Sequence, residues 1–191
     1  MRDLSTVLAS IDAVNAEDPR LLDGRPLALV QGERCWSWVE TLCPKAADAL
    51  LIAARAHHLR RWDLPRTHYP QGRPGYLSWR REQKHRHAAH LRTLLNNHSY
   101  DHASTDRAVE IIQKNGLGTD PEVQTFEDAV CLTFLETEFS TTADRIDDQP
   151  KMASVVAKTL RKMSPEGQAL AMSIPLSERE TAIVSASLQC P

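Results

Sequence analysis

Along most of the chain, apolar residues recur at intervals of three and four positions, which is the period of an amphipathic α-helix. The first such stripe comprises Leu4, Val7, Leu8, Ile11 and Val14. Similar stripes predict further helices over about 26–42, 44–61, 75–96, 103–114, 120–139, 148–163 and 176–187. Strict apolar–polar alternation, which is typical of half-buried β-strands, is nearly absent. The pattern therefore predicts an all-α fold with about seven or eight helices.

Several predicted helix ends carry recognisable signals. Asp120 and Ser164 each stand immediately before a proline, Pro121 and Pro165, as an N-cap followed by a first-turn proline does. In the stretch "NGLG", Gly116 is expected in the left-handed conformation that ends many helices. These signals support the helix boundaries predicted from the apolar period.

One long segment, "DLPRTHYPQGRPG" at 63–75, breaks the helical pattern. A loop of this length inside a compact domain is more often functional than idle, particularly when it carries Arg, His and Tyr. We expect it to cover a binding site, with His68 and Tyr69 contributing specificity.

Composition narrows the class of protein. A chain of 191 residues is predicted to form one domain over 1–191, and its net charge of -2 gives no overall attraction to nucleic acid or to a membrane surface. No signal peptide is recognised, and no apolar run approaches the ~18 residues that span a membrane. The cysteines form no regular framework, so we expect reduced thiols in a cytoplasmic protein at Cys35, Cys43, Cys131 and Cys190.

Positive charge is concentrated in one part of the chain. Residues 55–92 contain ten Lys and Arg against two acidic residues, and six of the eight histidines. A basic run is often only a solvated helix face, but here it surrounds an apolar helix and the Gly/Pro loop. This arrangement favours an anionic ligand, most simply a phosphate held by arginines.

Four polar residues are placed on predicted buried faces. His57 and His58 follow residues of an apolar stripe by four and seven positions, and His87 precedes two such residues by the same intervals. Asp128 precedes three apolar residues by three, four and seven positions. A buried carboxylate needs a partner, so these groups either bind a metal ion together or are satisfied separately, with Asp128 paired to Arg55 or another guanidinium.

Imidazole and carboxylate together are a ligand set for zinc, iron, manganese or nickel, and the mixture does not select among these ions. Serine and cysteine catalysis have no support, because the chain has no GxSxG motif and its thiols lie in apolar settings or near a terminus. The C-terminal third is interpreted as packing helices.

Four segments resemble those that mark the domain-of-unknown-function 4202 family, across nearly the whole chain. They are "IDAVNAEDP", "AARAHHLRRWDLPRTHYPQGRPGYLSWR", "KHRHA" and "DPEVQTFEDAVCLTFLE". This family implies no particular reaction.

The layout is also distantly similar to the HD-domain superfamily of metal-dependent phosphohydrolases. By this resemblance His57 and His58 occupy the positions of the His-Asp pair, and Asp128 that of the late Asp. The first His of the pattern is replaced by Gln31, which is a poor metal ligand. The resemblance implies an HD-domain-like helical fold. It also implies either a one-metal site whose ligands differ from the usual set, or a fold that no longer holds metal.

The leading functional prediction is a metal-dependent hydrolase acting on a phosphorylated or nucleotide-like small molecule. The expected metal ligands are His58, His87 and Asp128, with Glu127 as general base and His57 as an additional ligand or proton carrier. Substrate binding is assigned to the basic segment and its loop, at Arg55, Arg60, Arg61, Lys84, His68 and Tyr69.

Two alternatives remain open. An HD-like diiron oxygenase would need further ligands from Glu33, Glu40 or Glu136. A non-catalytic helical module would bind a nucleotide, RNA or a protein through the basic segment, where aromatic residues are interleaved with the charges.

Overall fold

The chain folds as an all-α protein. The structure is a computed structural model and describes residues 4–145 and 149–188. Within these ranges there are ten α-helices, which are α1 (Leu4–Asn15), α2 (Leu27–Leu42), α3 (Asp48–Arg55), α4 (Arg73–Asn97), α5 (His102–Ile112), α6 (Pro121–Thr137), α7 (Phe139–Arg145), α8 (Gln149–Leu160), α9 (Pro165–Ala171) and α10 (Glu178–Leu188). The all-α prediction is confirmed, with more helices than the seven or eight expected.

Four short elements join these helices. Before α2, strands β1 (Leu21–Leu22) and β2 (Arg25–Pro26) pair antiparallel around a tight turn. Between α3 and α4, single 3₁₀ turns span Arg61–Asp63 and Arg66–His68. The predicted irregular loop at 63–75 is therefore partly structured, and α4 begins inside it.

Helix α3 ends six residues earlier than predicted. After Arg55 the amide of His57 bonds to the carbonyl of Ala54, three residues back, so the last turn tightens. Arg60 then adopts the left-handed conformation, with φ of 55°. The histidine pair therefore lies in a turn that follows the helix.

The predicted caps are confirmed, but two short helices were missed. The side chain of Asp120 accepts from the amides at the start of α6, and Ser164 Oγ accepts from the amide of Gly167. Gly116 is left-handed, with φ of 84°. The predicted helix over 120–139 instead breaks after Thr137, and α7 and α9 were not expected because each spans only seven residues.

Helix α6 is the centre of the fold. Its N-terminal half packs with α1 to α5 in one hydrophobic cluster, and its C-terminal half packs with α7 to α10 in a second. Trp38 and Leu42 of α2 contact both clusters. A large cavity lies along α6, between residues of the first group of helices and residues of α8.

The described cysteines, Cys35, Cys43 and Cys131, are free thiols, and Cys190 lies outside the described residues. Burial raises the pKa of Cys35 and of Cys131 to about 12, so neither is a nucleophile at neutral pH. Among residues 4–145 and 149–188, no helix combines the length and apolar character needed to span a membrane.

Candidate functional site

The main cavity has a volume of about 720 Å³, within the range of small-molecule sites. It is lined by the turn after α3, the loop before α4, and parts of α2, α4, α6 and α8. Its polar and aromatic lining includes Arg20, Gln31, His57, His58, Arg61, Trp62, Arg66, Tyr76, Trp79, Arg80, Lys114, Glu127, Thr133, Phe134, Glu138, Thr142, Thr159 and Lys162. Six of these are cationic and two are carboxylates.

A chain of hydrogen bonds fixes His58. The hydroxyl of Thr137 donates to the carbonyl of Thr133, so its oxygen accepts from the amide nitrogen of Gln31, 3.2 Å away. The amide oxygen of Gln31 then faces Nδ1 of His58 at 2.6 Å, and Nδ1 must carry the proton. Nε2 of His58 is therefore left as an unprotonated acceptor on the cavity wall.

His57 and His87 are held in the same way by backbone carbonyls. Nδ1 of His57 donates to the carbonyl of Ala54 at 3.0 Å, and Nδ1 of His87 to that of Leu59 at 2.8 Å. Nε2 of each is buried and has no hydrogen-bond partner among the described residues. The ring of His58 lies 4.1 Å from that of His57 and 6.2 Å from that of His87, centre to centre.

All three rings are uncharged at neutral pH. Burial lowers the pKa of His57 and of His87 to about 3. The pKa of His58 is also well below its usual value, first because of burial and then because of the nearby His57 and Arg61. His57 and His58, the two of these residues that line the cavity, therefore contribute to its wall without adding charge.

The expected metal ligand set does not assemble. In the chain from 4 to 145 and from 149 to 188, no three His, Cys, Asp or Glu side chains are grouped so that they could hold an ion. His58 and His87 are neighbours and carry the tautomer that metal ligands need, but Asp128 does not line the cavity. The described residues therefore do not fit the metal implied by the HD-domain resemblance.

Asp128 holds helix α9. Its carboxylate accepts from the amide of Ser164 at 2.9 Å and from the hydroxyl of Ser164 at 2.5 Å, while Gln124 donates to it at 2.9 Å. Gly167 packs so closely that an added Cβ would lie 2.8 Å from the carboxyl carbon of Asp128. Neither the predicted metal role nor the alternative pairing with Arg55 matches these partners.

Glu127, the predicted general base, reaches the cavity but is held in an ion pair. It pairs with Lys114, and Lys162 lies 3.8 Å from its other oxygen. Although burial raises the pKa of this carboxyl, the two lysines outweigh it and hold the pKa below its usual value. Such a carboxylate is a weaker base than a free one.

Arg61 is one of the six cations that line the cavity. Its guanidinium lies over the Trp79 ring, 4.8 Å from the ring centre, and none of the described carboxylates forms an ion pair with it. Burial lowers its pKa, although it remains charged. Gln83 fixes its backbone by donating to the carbonyls of Arg61 and Leu64 at 2.9 and 3.0 Å.

The other cavity arginines are held differently. Arg20 pairs with Asp18, which also accepts from the amide of Ala28 at the start of α2. Arg66 donates to three carbonyls of its own loop, at 2.8 to 3.3 Å. Arg80 contacts the hydroxyl of Tyr76 at 3.2 Å and forms no ion pair with a described carboxylate. Arg61 and Arg80 thus remain available to an anion.

The predicted site residues divide into three groups. Four line the main cavity, namely His57, His58, Arg61 and Glu127, and Lys84 lines a smaller cavity beside it. Six line neither, namely Arg55, Arg60, His68, Tyr69, His87 and Asp128.

The predicted substrate-binding residues outside the cavities have other roles. Arg55 pairs with Asp12 at 2.5 Å, and Arg60 with Asp63 at 2.7 Å. His68 is exposed, and the loop contributes Arg66 to the cavity in its place. The carboxylates required by the diiron alternative do not line either cavity, because Glu33 pairs with Arg25, Glu136 accepts from Trp38, and Glu40 is exposed.

Sequence reasoning missed five of the six cavity cations, Arg20, Arg66, Arg80, Lys114 and Lys162. Three of them lie outside the basic run at 55–92, and Arg66 and Arg80 lie inside it. The C-terminal third, interpreted as packing only, contributes Val155, Thr159 and Lys162 to the cavity wall. No local signal in the sequence marked Lys114, because its left-handed backbone, with φ of 56°, is seen only in the structure.

These features define an all-α protein with a large, partly open cavity lined by cations, aromatic rings and uncharged histidines. The chain belongs to the family described as "Domain of unknown function (DUF4202)", which matches residues 5–184. No curated protein and no solved structure matches the chain. The membership expected from the sequence is confirmed, and the resemblance to the HD-domain superfamily stays a prediction.

Proposed function

We propose that the protein is a hydrolase that binds a phosphorylated small molecule with a planar ring in the main cavity. The observation that carries this proposal is the guanidinium of Arg61, which lies in the cavity without an ion-pair partner among the described residues. A partly buried cation of this kind is normally matched by an anion, and the planar fork of arginine suits a phosphate. The positive excess of the whole lining supports the same ligand charge.

The aromatic lining supports a planar group on the ligand. Trp62, Tyr76, Trp79 and Phe134 all reach the cavity. Stacking on such rings is worth about 1–3 kcal/mol for a nucleic-acid base. The volume of the cavity, about 720 Å³, is that of a small-molecule site.

His58 is the residue we assign to the chemistry. His58 lines the cavity together with Arg61, and the contact of Nδ1 with Gln31 holds the ring in place and leaves Nε2 unprotonated. A bound phosphate brings negative charge next to the imidazole and raises its pKa toward the range useful for a general base. His58 then accepts a proton from the water that attacks phosphorus, while Arg61 stabilises the charge on the phosphate oxygens. As the bond from phosphorus to the ester oxygen breaks, protonated His58 returns this proton to the leaving oxygen, which departs as the alcohol.

Glu127 has a different role in this proposal. Its carboxylate keeps Lys114 and Lys162 together on one side of the cavity, and its lowered pKa makes it a weaker base. No step is assigned to a metal ion, because the described residues do not provide its ligand set.

Binding and turnover are tested with adenosine monophosphate as the probe. Binding is measured by titration calorimetry, and turnover by release of inorganic phosphate. We expect Arg61→Met to weaken binding about tenfold or more, since a charge-assisted bond to phosphate is lost. The matched control Arg34→Met changes an exposed arginine of α2 and is expected to bind as the wild type does.

The catalytic assignment is tested with His58→Asn. Asparagine can still donate to Gln31 from the position of Nδ1 but has no equivalent of Nε2. We expect turnover to fall about 10²-fold or more while binding changes little. Binding without turnover in the wild type, over a panel of phosphomonoesters, would instead favour the non-catalytic module. Equal binding by wild type and Arg61→Met would refute the proposed site.

A further inference from the structure

A second, smaller cavity lies beside the main one. It has a volume of about 280 Å³ and is lined by Arg80, Arg81, Lys84, His85, Gln113 and Asn115. This lining contains three cations, two amides and no carboxylate. Arg80 lines both cavities, so the two are neighbours that share one wall.

The shared wall is built from two helices. Arg80, Arg81, Lys84 and His85 have the i, i+1, i+4, i+5 spacing of one face of α4. The second part is the turn that ends α5, where Gln113 and Asn115 line the smaller cavity and Lys114 lines the main one. Of these three consecutive residues, the first and third line the smaller cavity and the second lines the main cavity.

The turn at Lys114 has an unusual backbone. The amide of Lys114 bonds to the carbonyl of Ile111, and that of Asn115 to the carbonyl of Glu110, which is the pattern that closes a helix with one left-handed residue. That residue is normally glycine, yet here it is Lys114, with φ of 56°. A lysine at this position costs backbone energy, and it places an ammonium group on the main cavity beside the smaller one.

The cations of the smaller cavity have no ion-pair partner within residues 4–145 and 149–188, although Glu127 acts on Arg80 and Lys84 from a greater distance. None of the described carboxylates forms an ion pair with Arg80, Arg81 or Lys84. The pKa of Lys84 is lowered first by burial and then by the nearby Lys114 and Arg80, which shows that these like charges act on one another. Unpaired like charges held together in this way are stabilised by an anion.

We infer that the smaller cavity is a second phosphate subsite, so that the ligand of the main cavity carries a chain of linked phosphates rather than one. The first phosphate lies beside Arg61, and Arg80 contacts the chain where it passes between the cavities. The terminal phosphates are held by Lys84 and Arg81. This inference rests on the proposed function, because it extends the same ligand.

The test compares adenosine mono-, di- and triphosphate by titration calorimetry without divalent ions. We expect the triphosphate to bind wild type at least about tenfold more tightly than the monophosphate. In Arg81→Gln/Lys84→Gln this gain is expected to be lost, with monophosphate affinity unchanged. The matched control Arg34→Gln/Lys45→Gln removes the same charge from exposed positions outside both cavities, and is expected to keep the gain.

Three other results have distinct meanings. Equal affinity of wild type for mono- and triphosphate would overturn the second subsite and leave the proposed function intact. A gain that survives in Arg81→Gln/Lys84→Gln, or falls equally in the control, would also overturn the subsite. Absence of any monophosphate binding by the wild type would refute the proposed function itself, and the subsite with it.

Discussion

The amide oxygen of Gln31 lies 2.6 Å from Nδ1 of His58, across the interface between α2 and the turn that follows α3. By the HD-domain resemblance, Gln31 replaces a metal-binding histidine. Here it acts as a hydrogen-bond acceptor, and Thr137 fixes which end of its amide faces the histidine. The consequence is a defined tautomer of His58, in which Nε2 carries the lone pair and the residue lines the cavity.

The first prediction concerns that tautomer. In Gln31→Leu the acceptor is lost, so we expect the proton of His58 to distribute between its two ring nitrogens. Nitrogen chemical shifts of the imidazole, measured by NMR at neutral pH, distinguish a protonated from an unprotonated ring nitrogen. Phosphate release from adenosine monophosphate is expected to fall in the same variant, because fewer molecules present the lone pair.

The conservative variant Gln31→Glu separates positioning from packing. It keeps an oxygen opposite Nδ1, so the wild-type tautomer should be retained, and the added negative charge should raise the pKa of His58. If Gln31→Leu kept the wild-type nitrogen shifts, Gln31 would not be what fixes the tautomer.

The second prediction concerns acid stability. His57 and His87 have an ordinary pKa near 6.5 when unfolded and about 3 when folded, so between these values the unfolded chain binds more protons. Above about pH 6.5 these two histidines therefore do not reduce the free energy of unfolding. As the pH falls below this value, the free energy of unfolding decreases by up to about 1.4 kcal/mol per pH unit for each histidine. Urea unfolding at several pH values between 5 and 7 measures this slope.

His87→Asn tests the assignment, because asparagine can still donate to the carbonyl of Leu59 but does not titrate. The slope of the free energy of unfolding against pH reports the number of protons taken up on unfolding. In His87→Asn we expect this number to be smaller by about one. The exposed His68 provides the control, and His68→Asn should leave the slope unchanged. A slope that is equal in wild type and His87→Asn would show that His87 does not stay neutral in the folded protein.

The third prediction separates a structural from a metal-binding role for Asp128. In Asp128→Asn, an amide group replaces one of the oxygens that accept from Ser164 and Gln124, so the free energy of unfolding should fall by about 1–3 kcal/mol. Affinity for adenosine monophosphate should change little, because Asp128 does not line the cavity. Urea unfolding and titration calorimetry give the two quantities.

Ser164→Ala removes the hydroxyl that donates to Asp128. Together with Asp128→Asn and the variant that carries both substitutions, it forms a double-mutant cycle. We expect the two substitutions to be non-additive, since they remove parts of the same contact. Additive effects on unfolding, or a loss of ligand affinity in Asp128→Asn, would contradict the structural role.

The helical period predicted the fold well because most helices here are long enough to bury a stripe. The period also placed Asp128 correctly on a buried face, where it is 2% exposed. The period could not identify Ser164 as the partner of Asp128, because the two residues are 36 positions apart. In the sequence alone, a buried carboxylate that binds a metal has the same pattern as one that holds a helix end. Burial was predictable, but the reason for burial was not.

The cavity was harder to predict than the fold. Its basic wall is assembled from α4, the end of α5 and the residues after α8, so charge counts along one segment found Arg61 and not Lys162. The early end of α3 was equally hidden, because it depends on a left-handed arginine at position 60 and no glycine or proline marks it. Both features depend on tertiary packing.

The last prediction decides between two roles for Glu127. If Glu127 only holds Lys114 and Lys162, then Glu127→Gln removes negative charge from the cavity and frees both ammonium groups for a phosphate. We expect adenosine monophosphate to bind about fivefold more tightly, which corresponds to about 1 kcal/mol. Phosphate release should continue, because His58 is the proposed base. A general base, in contrast, contributes about 10² to 10⁴ to the rate, so its loss would be evident.

Two controls make this result interpretable. Glu40→Gln removes the same charge from an exposed position on α2 and should leave affinity unchanged. Urea unfolding checks that Glu127→Gln remains folded at the assay temperature. Tighter binding with retained turnover supports the positioning role, whereas tighter binding with turnover lost would return Glu127 to the role of general base that the sequence predicted, and would move His58 out of it.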